Sequence, residues 1–255
     1  MTDRAELSSA DDASLRRLLI VGAGGFGREA AQAVQAVNRK RPTWDLLGFL
    51  DDNPALQHGV VDGLPVLGPL ADVKDFADAQ LVVSVGRPSN YLARRSIVQR
   101  LNLAPSRYAT VIHPTAVLPL TAQIGPGSVL LATVVATTGI RVGAHVVVMP
   151  GAVFTHDDTV EDYVTIGAHA CLAGNVRIGE GAYIGAGALI REDCVVGPWA
   201  LIGMGAVVTS SVPAHEVWAG VPARFLRRAD AQPTDSIERR NQASRRIATR
   251  RAEAT

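Results

Sequence analysis

Aromatic residues make up only 5% of the 255 residues, and methionine occurs three times, so the large side chains that fill a wide globular core are scarce. Apolar residues still reach 47%, a combination that points to a narrow core built from aliphatic side chains. Only two cysteines are present, Cys171 and Cys194, and they form no CxxC pair. They read as small core or wall residues in a reducing compartment. Charge of one sign is also lacking: the net charge is +1, and no basic stripe is interleaved with aromatics, which argues against a nucleic-acid surface. The leader MTDRAELSSADDASLRR has no apolar stretch, so no signal peptide is expected. The apolar stretch Val129–Ala136 is too short to span a bilayer. A soluble cytoplasmic protein is the expectation.

Repetition is what the chain has in abundance. From Ala109 to Ser210 it divides into seventeen six-residue units without an insertion, from ATVIHP to GAVVTS. The fourth place is Ile, Leu, Val or Phe in all but the unit of Ala136. The second place is usually small (Ala116, Ser128, Ala182, Ala200), and glycine often follows the aliphatic residue (Gly125, Gly167, Gly203). A period of six belongs to neither a helix nor a flat strand. It suits a coil of three short strands per turn, with the aliphatic residue inward and small residues at the corners.

Four parts follow. Residues 1–17 read as a disordered polar leader. Residues 18–107 alternate strand and helix: strands at Leu18–Gly22, Leu46–Leu50 and Leu81–Gly86, helices at Phe26–Val37 and Pro88–Leu101. That order implies an α/β, Rossmann-like domain with a small parallel sheet. Residues 108–228 hold the repeat and its closing segment. Residues 229–255 are a polar, arginine-rich tail, with pairs at Arg239-Arg240, Arg245-Arg246 and Arg250-Arg251, read as a solvated arm or an anion- or partner-binding one.

Gly22-Ala23-Gly24-Gly25-Phe26-Gly27 matches GxGxxG between a strand and a helix, where backbone N–H groups at a helix start can approach a phosphate. Asp51 and Asp52 end the second strand, where a carboxylate could receive ribose or base groups. A nicotinamide cofactor, the diphosphate of a nucleotide sugar and a purely structural turn all fit this motif. The domain is one mononucleotide-binding half, whereas a dinucleotide usually lies across two, which disfavours the first.

His156 closes the eighth unit, just before Asp157-Asp158 and Glu161-Asp162. In an eighteen-residue turn, Gly174 stands one coil above it and Thr138 one coil below. A corner histidine beside a carboxylate can act as a general base, although a corner histidine can also be incidental. His58, His113, His145, His169 and His215 lack such a setting and read as surface or packing residues. Zinc-dependent coils need three converging histidines, two of them five residues apart; no histidine pair here has that spacing, so no metal is expected.

LLIVGAGGFGREA, GFLDDNP with VDGLPVLGPL, His156-Asp157, LAGNVRIGEGAYIGAGA and AGVPAR, in that order, resemble the hexapeptide-repeat sugar acyltransferases of the sialic acid and bacillosamine type. The resemblance implies a left-handed parallel β-helix, a homotrimer, acetyl-CoA as donor and co-substrate with no permanently bound cofactor, and a nucleotide sugar held by Gly22, Gly24, Gly25, Phe26, Gly27, Asp51 and Asp52. It places the base on His156, its acidic neighbour on Asp157 and a carbonyl-binding N–H on Gly174. It also implies that Thr165 stands where relatives often have a second histidine facing the acetyl group. Met149 stands where they often have an asparagine near the acceptor amine, and His169 replaces a usual glycine. Gly220, Pro222 and Arg224 of the closing AGVPAR would meet the nucleotide end of CoA. The function so implied is acetyl transfer to an amino or hydroxyl group of a sugar. Its rivals are a non-sugar acceptor, a coil that has lost activity and serves assembly, and a nicotinamide-dependent reductase.

Overall fold

The structure, a computed structural model, describes residues 15–229. The leader up to residue 14 and the tail from residue 230 lie outside the described residues. The last leader residues, Arg16 and Arg17, already belong to the first strand, which corrects the expected boundary.

The N-terminal domain runs β1 (Arg16–Val21), α1 (Gly25–Lys40), β2 (Trp44–Leu50), β3 (Val60–Val61), β4 (Leu64–Gly68), β5 (Gln80–Val83) and α2 (Ala93–Leu101). The sheet order is β3-β4-β2-β1-β5, parallel except for the β3–β4 hairpin. β1 is buried on both faces. Leu18 and Ile20 pack with Ala30 and Val34 of α1, while Leu19 and Val21 face Ile97, Val98 and Leu101 of α2. α2 begins at Ala93 rather than Pro88, because residues 88–92 form turns that run onto the coil. There the Tyr91 hydroxyl donates to the Trp199 carbonyl at 3.0 Å.

The coil starts directly from the sheet, as the Ala109 N–H donates to the Leu81 carbonyl of β5. Val147 pairs in parallel with Val129 below and Thr165 above, so each turn takes eighteen residues. Three parallel sheets form the faces of a left-handed prism. The first holds strands such as Val129–Leu130, Val147–Val148 and Thr165–Ile166. The second holds Val135–Thr138, Val153–His156 and Cys171–Leu172, and the third holds Arg141–Val142, Thr159–Val160 and Arg177–Ile178. Fourth-place residues from Leu130 to Val208 are buried and form one aliphatic column; Ile112, Leu118 and Ile124 pack at its open start.

The first place of nearly every unit adopts a left-handed backbone. At the corner between the second and third faces these residues are Gly139, Asp157, Asn175 and Asp193, with φ of 70, 61, 50 and 59°. Glycine, asparagine and aspartate tolerate that region best, which explains the corner composition. At the far end Glu216–Ala219 continues the first face, and Arg224–Arg228 folds back antiparallel against it.

The two domains are joined by more than the chain. α1 packs against Val111, Val129 and Leu131 of the first coils, with Met149 beside them. Arg94 of α2 is 1% exposed, and its Nη2 donates to the Tyr163 carbonyl at 2.8 Å, the Val164 carbonyl at 3.1 Å and Thr165 Oγ1 at 2.9 Å. No carboxylate among the described residues pairs with it, and burial pulls its guanidinium down to a pKa of about 10. Beneath it His145 stacks on Tyr163 at 5.3 Å and meets the edge of Tyr108 at 4.5 Å.

Candidate active site

The strand Val153–His156 runs two residues further than Cys171–Leu172 above it, which carries His156 to the corner. The imidazole Nδ1 lies 3.1 Å from Asp157 Oδ2. With Nδ1 protonated and donating to the carboxylate, Nε2 keeps a free lone pair. Gly174 sits above that nitrogen with φ +105°, and a Cβ there would stand 2.7 Å from His156 Nε2. Glycine is therefore the residue that leaves the approach to Nε2 open. The coils are tied around it: Asn175 N–H donates to the His156 carbonyl at 2.7 Å, and Asp193 N–H to the Gly174 carbonyl at 3.1 Å. The Gly174 N–H itself has no acceptor among the described residues.

The His156 and Asp157 side chains are 60% and 66% exposed in the single chain. A pair this open is weakly coupled in water, so effective chemistry here requires a cover.

A second region lies across the first and second faces. α1 and the coil enclose a cleft of about 550 Å³, lined by Gly25, Arg28, Glu29, Arg39, His113 and Pro150, among others. Gly24 and Gly25 have open space where a side chain would be, whereas Gly22 packs on Val85 and Gly27 against the Gly22 carbonyl. Two glycines thus keep the turn tight and two keep it accessible. The N–H groups of Gly25, Phe26 and Gly27 at the start of α1 have no acceptor among the described residues. Asp51 is turned inward onto this loop: its Oδ2 accepts the Ala23 N–H at 2.8 Å and its Oδ1 the Asn53 N–H at 2.8 Å. Asp52 accepts the Leu70 N–H at 2.8 Å and pairs with Arg100 at 3.1 Å. His113, expected to be incidental, lines the cleft with Nδ1 2.8 Å from Thr115 Oγ1, and burial and Arg39 lower its pKa.

The remaining expected residues lie elsewhere. Thr165 is on the first face, engaged by Arg94, so one chain does not bring it beside His156 and Gly174. Gly220 and Pro222 form the turn at the coil's end, where Val207 N–H donates to the Gly220 carbonyl at 3.0 Å. Arg224 Nη1 donates to the Ala223 carbonyl at 2.8 Å. Among the described residues, no group of three His, Cys, Asp or Glu could hold a metal ion, and no helix is long and apolar enough to cross a membrane.

Comparison with known proteins identifies the family and its fold. Residues 17–101 match the PglD N-terminal domain, and residues 157–192 and 175–210 match the bacterial transferase hexapeptide of six repeats. The acetyltransferase domain of PglB from Neisseria gonorrhoeae FA1090, solved with acetyl coenzyme A, is 33% identical with a TM-score of 0.75 over 83% of this chain and 100% of that one. The chain belongs to the hexapeptide-repeat sugar acetyltransferase family. Another solved member, PerB from Caulobacter crescentus in complex with CoA and GDP-perosamine, is 25% identical with a TM-score of 0.71, over 82% of this chain and 97% of that one. UDP-N-acetylbacillosamine N-acetyltransferase of Bacillus subtilis (strain 168) is 32% identical over 122 residues, 46% of this chain. That match spans about half, 52%, of the curated relative's length. Within this acetyltransferase family, a Rossmann-like domain followed by the left-handed coil is the shared architecture.

Proposed function

We propose that this protein transfers the acetyl group of acetyl-CoA to an amino or hydroxyl group of a nucleotide-linked sugar. The observation that carries the reading is the corner where His156 Nε2, free of the Asp157 contact, faces Gly174 and its unpartnered N–H. The acceptor nitrogen or oxygen attacks the thioester carbonyl carbon while His156 Nε2 takes its proton. Asp157 supports the imidazolium, and the Gly174 N–H donates to the developing oxyanion. As the intermediate collapses the C–S bond breaks, the acetyl group stays on the acceptor, and the proton on His156 goes to the departing thiolate. No acyl-enzyme is needed. General-base help is worth roughly 10²–10⁴ in rate and an oxyanion donor roughly 10²–10³. Positioning of the two substrates supplies the rest.

The nucleotide sugar belongs in the α1 cleft, its diphosphate on the N–H groups of Gly25, Phe26 and Gly27, beside Arg28 and Arg39. Asp51 supports this site by holding the loop at Ala23. Pro150 at the cleft and His156 stand at opposite edges of the second face, six residues or about 20 Å apart at strand spacing. A sugar anchored in the cleft is therefore served by His156 of another copy. A homotrimer of prisms meets that need and covers the exposed His156-Asp157 pair. Thr165 and the Gly220–Arg224 segment would then contribute to the acetyl-CoA cleft from the first face and the coil's end. With acetyl-CoA as donor, the reaction belongs in the cytoplasm.

Met149 packs against the N-terminal domain, and no asparagine stands there to meet an amine, so the acceptor panel must include hydroxyl as well as amino sugars. Free CoA release from acetyl-CoA, measured across nucleotide amino sugars and sialic acids, tests the proposal. No release with any acceptor defeats it. Sedimentation equilibrium tests the assembly, and a fully active monomer defeats the shared site.

A further inference from the structure

We propose that Asp158, a carboxylate sealed inside the coil, is a positioning residue that locks the His156 corner to the Gly174 corner one turn above it. The inference rests on the acetyltransferase reading for its consequence in turnover, but not for its consequence in the backbone.

Asp158 is the one charged residue among the seventeen second places of the repeat, and it is completely buried. Its neighbours in that column at the same corner are Ile140, Val176 and Cys194, all buried. An apolar residue is thus the coil's ordinary solution for this position. A carboxylate there loses its hydration, a cost that folding alone does not require.

The carboxylate has two specific partners. Oδ2 accepts the N–H of Thr155, immediately before His156, at 3.0 Å. Oδ1 accepts the N–H of Val176, two residues beyond Gly174, at 2.9 Å. One rigid group therefore spans the two segments whose relative placement sets the opening above His156 Nε2. Ser128 offers an internal comparison. It also sits at a second place and accepts an N–H eighteen residues on, that of Val146, at 3.0 Å. Its hydroxyl then donates to the Gly143 carbonyl at 2.8 Å and makes no tie back to its own corner strand. Among the second places of the described coil, only Asp158 at the histidine corner holds both sides. Desolvation, with a smaller push from Asp157, leaves the Asp158 carboxyl pKa raised although the two N–H groups and His156 oppose the rise.

A sub-ångström to 1 Å misplacement of reacting groups costs up to about 10²-fold in rate. The test compares the full-length wild type with Asp158→Val, which continues the aliphatic column, and Asp158→Asn, which keeps the shape but only one acceptor oxygen. Asp158→Val trades the desolvated carboxylate against two N–H groups left without an acceptor, so its melting temperature is expected to stay near that of the wild type. KM for acetyl-CoA is expected to stay within about threefold, while kcat falls roughly 10- to 100-fold. Asp158→Asn is expected to recover part of that loss. A valine variant with kcat within about twofold of wild type overturns the inference. Amide hydrogen exchange supplies a readout that needs no substrate: peptides covering 153–158 and 172–178 should exchange faster in the variant, and the rest of the coil unchanged. Unaltered exchange there overturns the inference even if turnover falls. If the wild type acetylates nothing, the acetyltransferase reading fails and the exchange result alone decides the role of Asp158. If the valine variant does not fold, the asparagine variant carries both measurements.

Discussion

The α-carbon of Gly174 stands over Nε2 of His156, and a methyl group there would come within 2.7 Å of the ring nitrogen. The Gly174 backbone, at φ +105°, is also one that L side chains rarely adopt. Gly174→Ala should therefore displace the imidazole and lower kcat by at least about tenfold, with a small loss of melting temperature. Steady-state kinetics beside a thermal melt separates the two effects; unchanged kcat would remove Gly174 from the site.

His156→Ala removes a largely exposed corner side chain and should leave fold and assembly intact. Turnover should drop by roughly two orders of magnitude or more, the scale of a lost general base. A mutant that keeps more than about a tenth of the activity shows that another group takes the proton.

Gly25 faces open space at the cleft, so a bulky residue there is tolerated by the fold. Gly25→Leu should raise the KM of the acceptor and leave that of acetyl-CoA nearly unchanged. Equal weakening of both substrates would contradict their separation between domain and coil. Asp51→Ala is the poorer probe, because it also strips the Ala23 and Asn53 N–H groups of their acceptor.

Arg94→Met fills much of the same volume but leaves the Tyr163 carbonyl and Thr165 Oγ1 without the donor that Arg94 supplies, while the Val164 carbonyl keeps the Val147 N–H. Unsatisfied buried groups of this kind cost about 1–3 kcal/mol each, whereas removing an unpaired buried cation offsets part of that. The expected net result is looser docking of the N-terminal domain, seen as earlier proteolysis between residues 84 and 93 at an almost unchanged coil melting temperature. Equal protease resistance would show that the apolar packing of α1 suffices.

His145 is buried between Tyr108 and Tyr163, and desolvation with help from Arg94 pushes its pKa down to about 4. The fold keeps this ring neutral, while the unfolded chain protonates it below about pH 6.5. Unfolding thus takes up a proton, and stability falls as pH drops from about 6.5 towards 4, with no further loss from this group below that. His145→Phe should flatten the fall in melting temperature across that window. An unchanged slope would assign acid sensitivity to other groups.

The coil was legible because its signal is local: an aliphatic residue every sixth place needs no knowledge of distant segments. The corner chemistry was partly hidden, since Gly139, Asp157, Asn175 and Asp193 share a backbone conformation rather than a residue type. In the N-terminal domain, Pro88 marked a helix start, yet α2 begins five residues later because Tyr91 reaches across to Trp199. The hairpin of β3 and β4 leaves no clear signal in the sequence, as Pro65 and Gly68 mask its short alternation. His156 and Gly174 could be paired from the eighteen-residue period alone. Arg94, His113 and Asp158 could not, because their significance depends on partners that only folding brings near. The tie by which Asp51 braces the loop at Ala23 is likewise visible only in the fold.

The strand Arg224–Arg228 has a consequence for the molecule's length. Every other rung of the first face runs parallel, so an uncovered last rung would offer a template on which another prism could stack end to end. The reversed strand presents the opposite hydrogen-bond direction, and its Arg228 is tethered to Glu216 at 3.6 Å, with positive charge across the exposed edge. At the other end the coil joins β5 and α1 lies along its first face, while Ile112, Leu118 and Ile124 stay half-buried at the open start. The far mouth of the prism is stoppered by a charged reversal, and end-to-end growth needs both mouths. Copies can therefore meet side by side without growing into fibres.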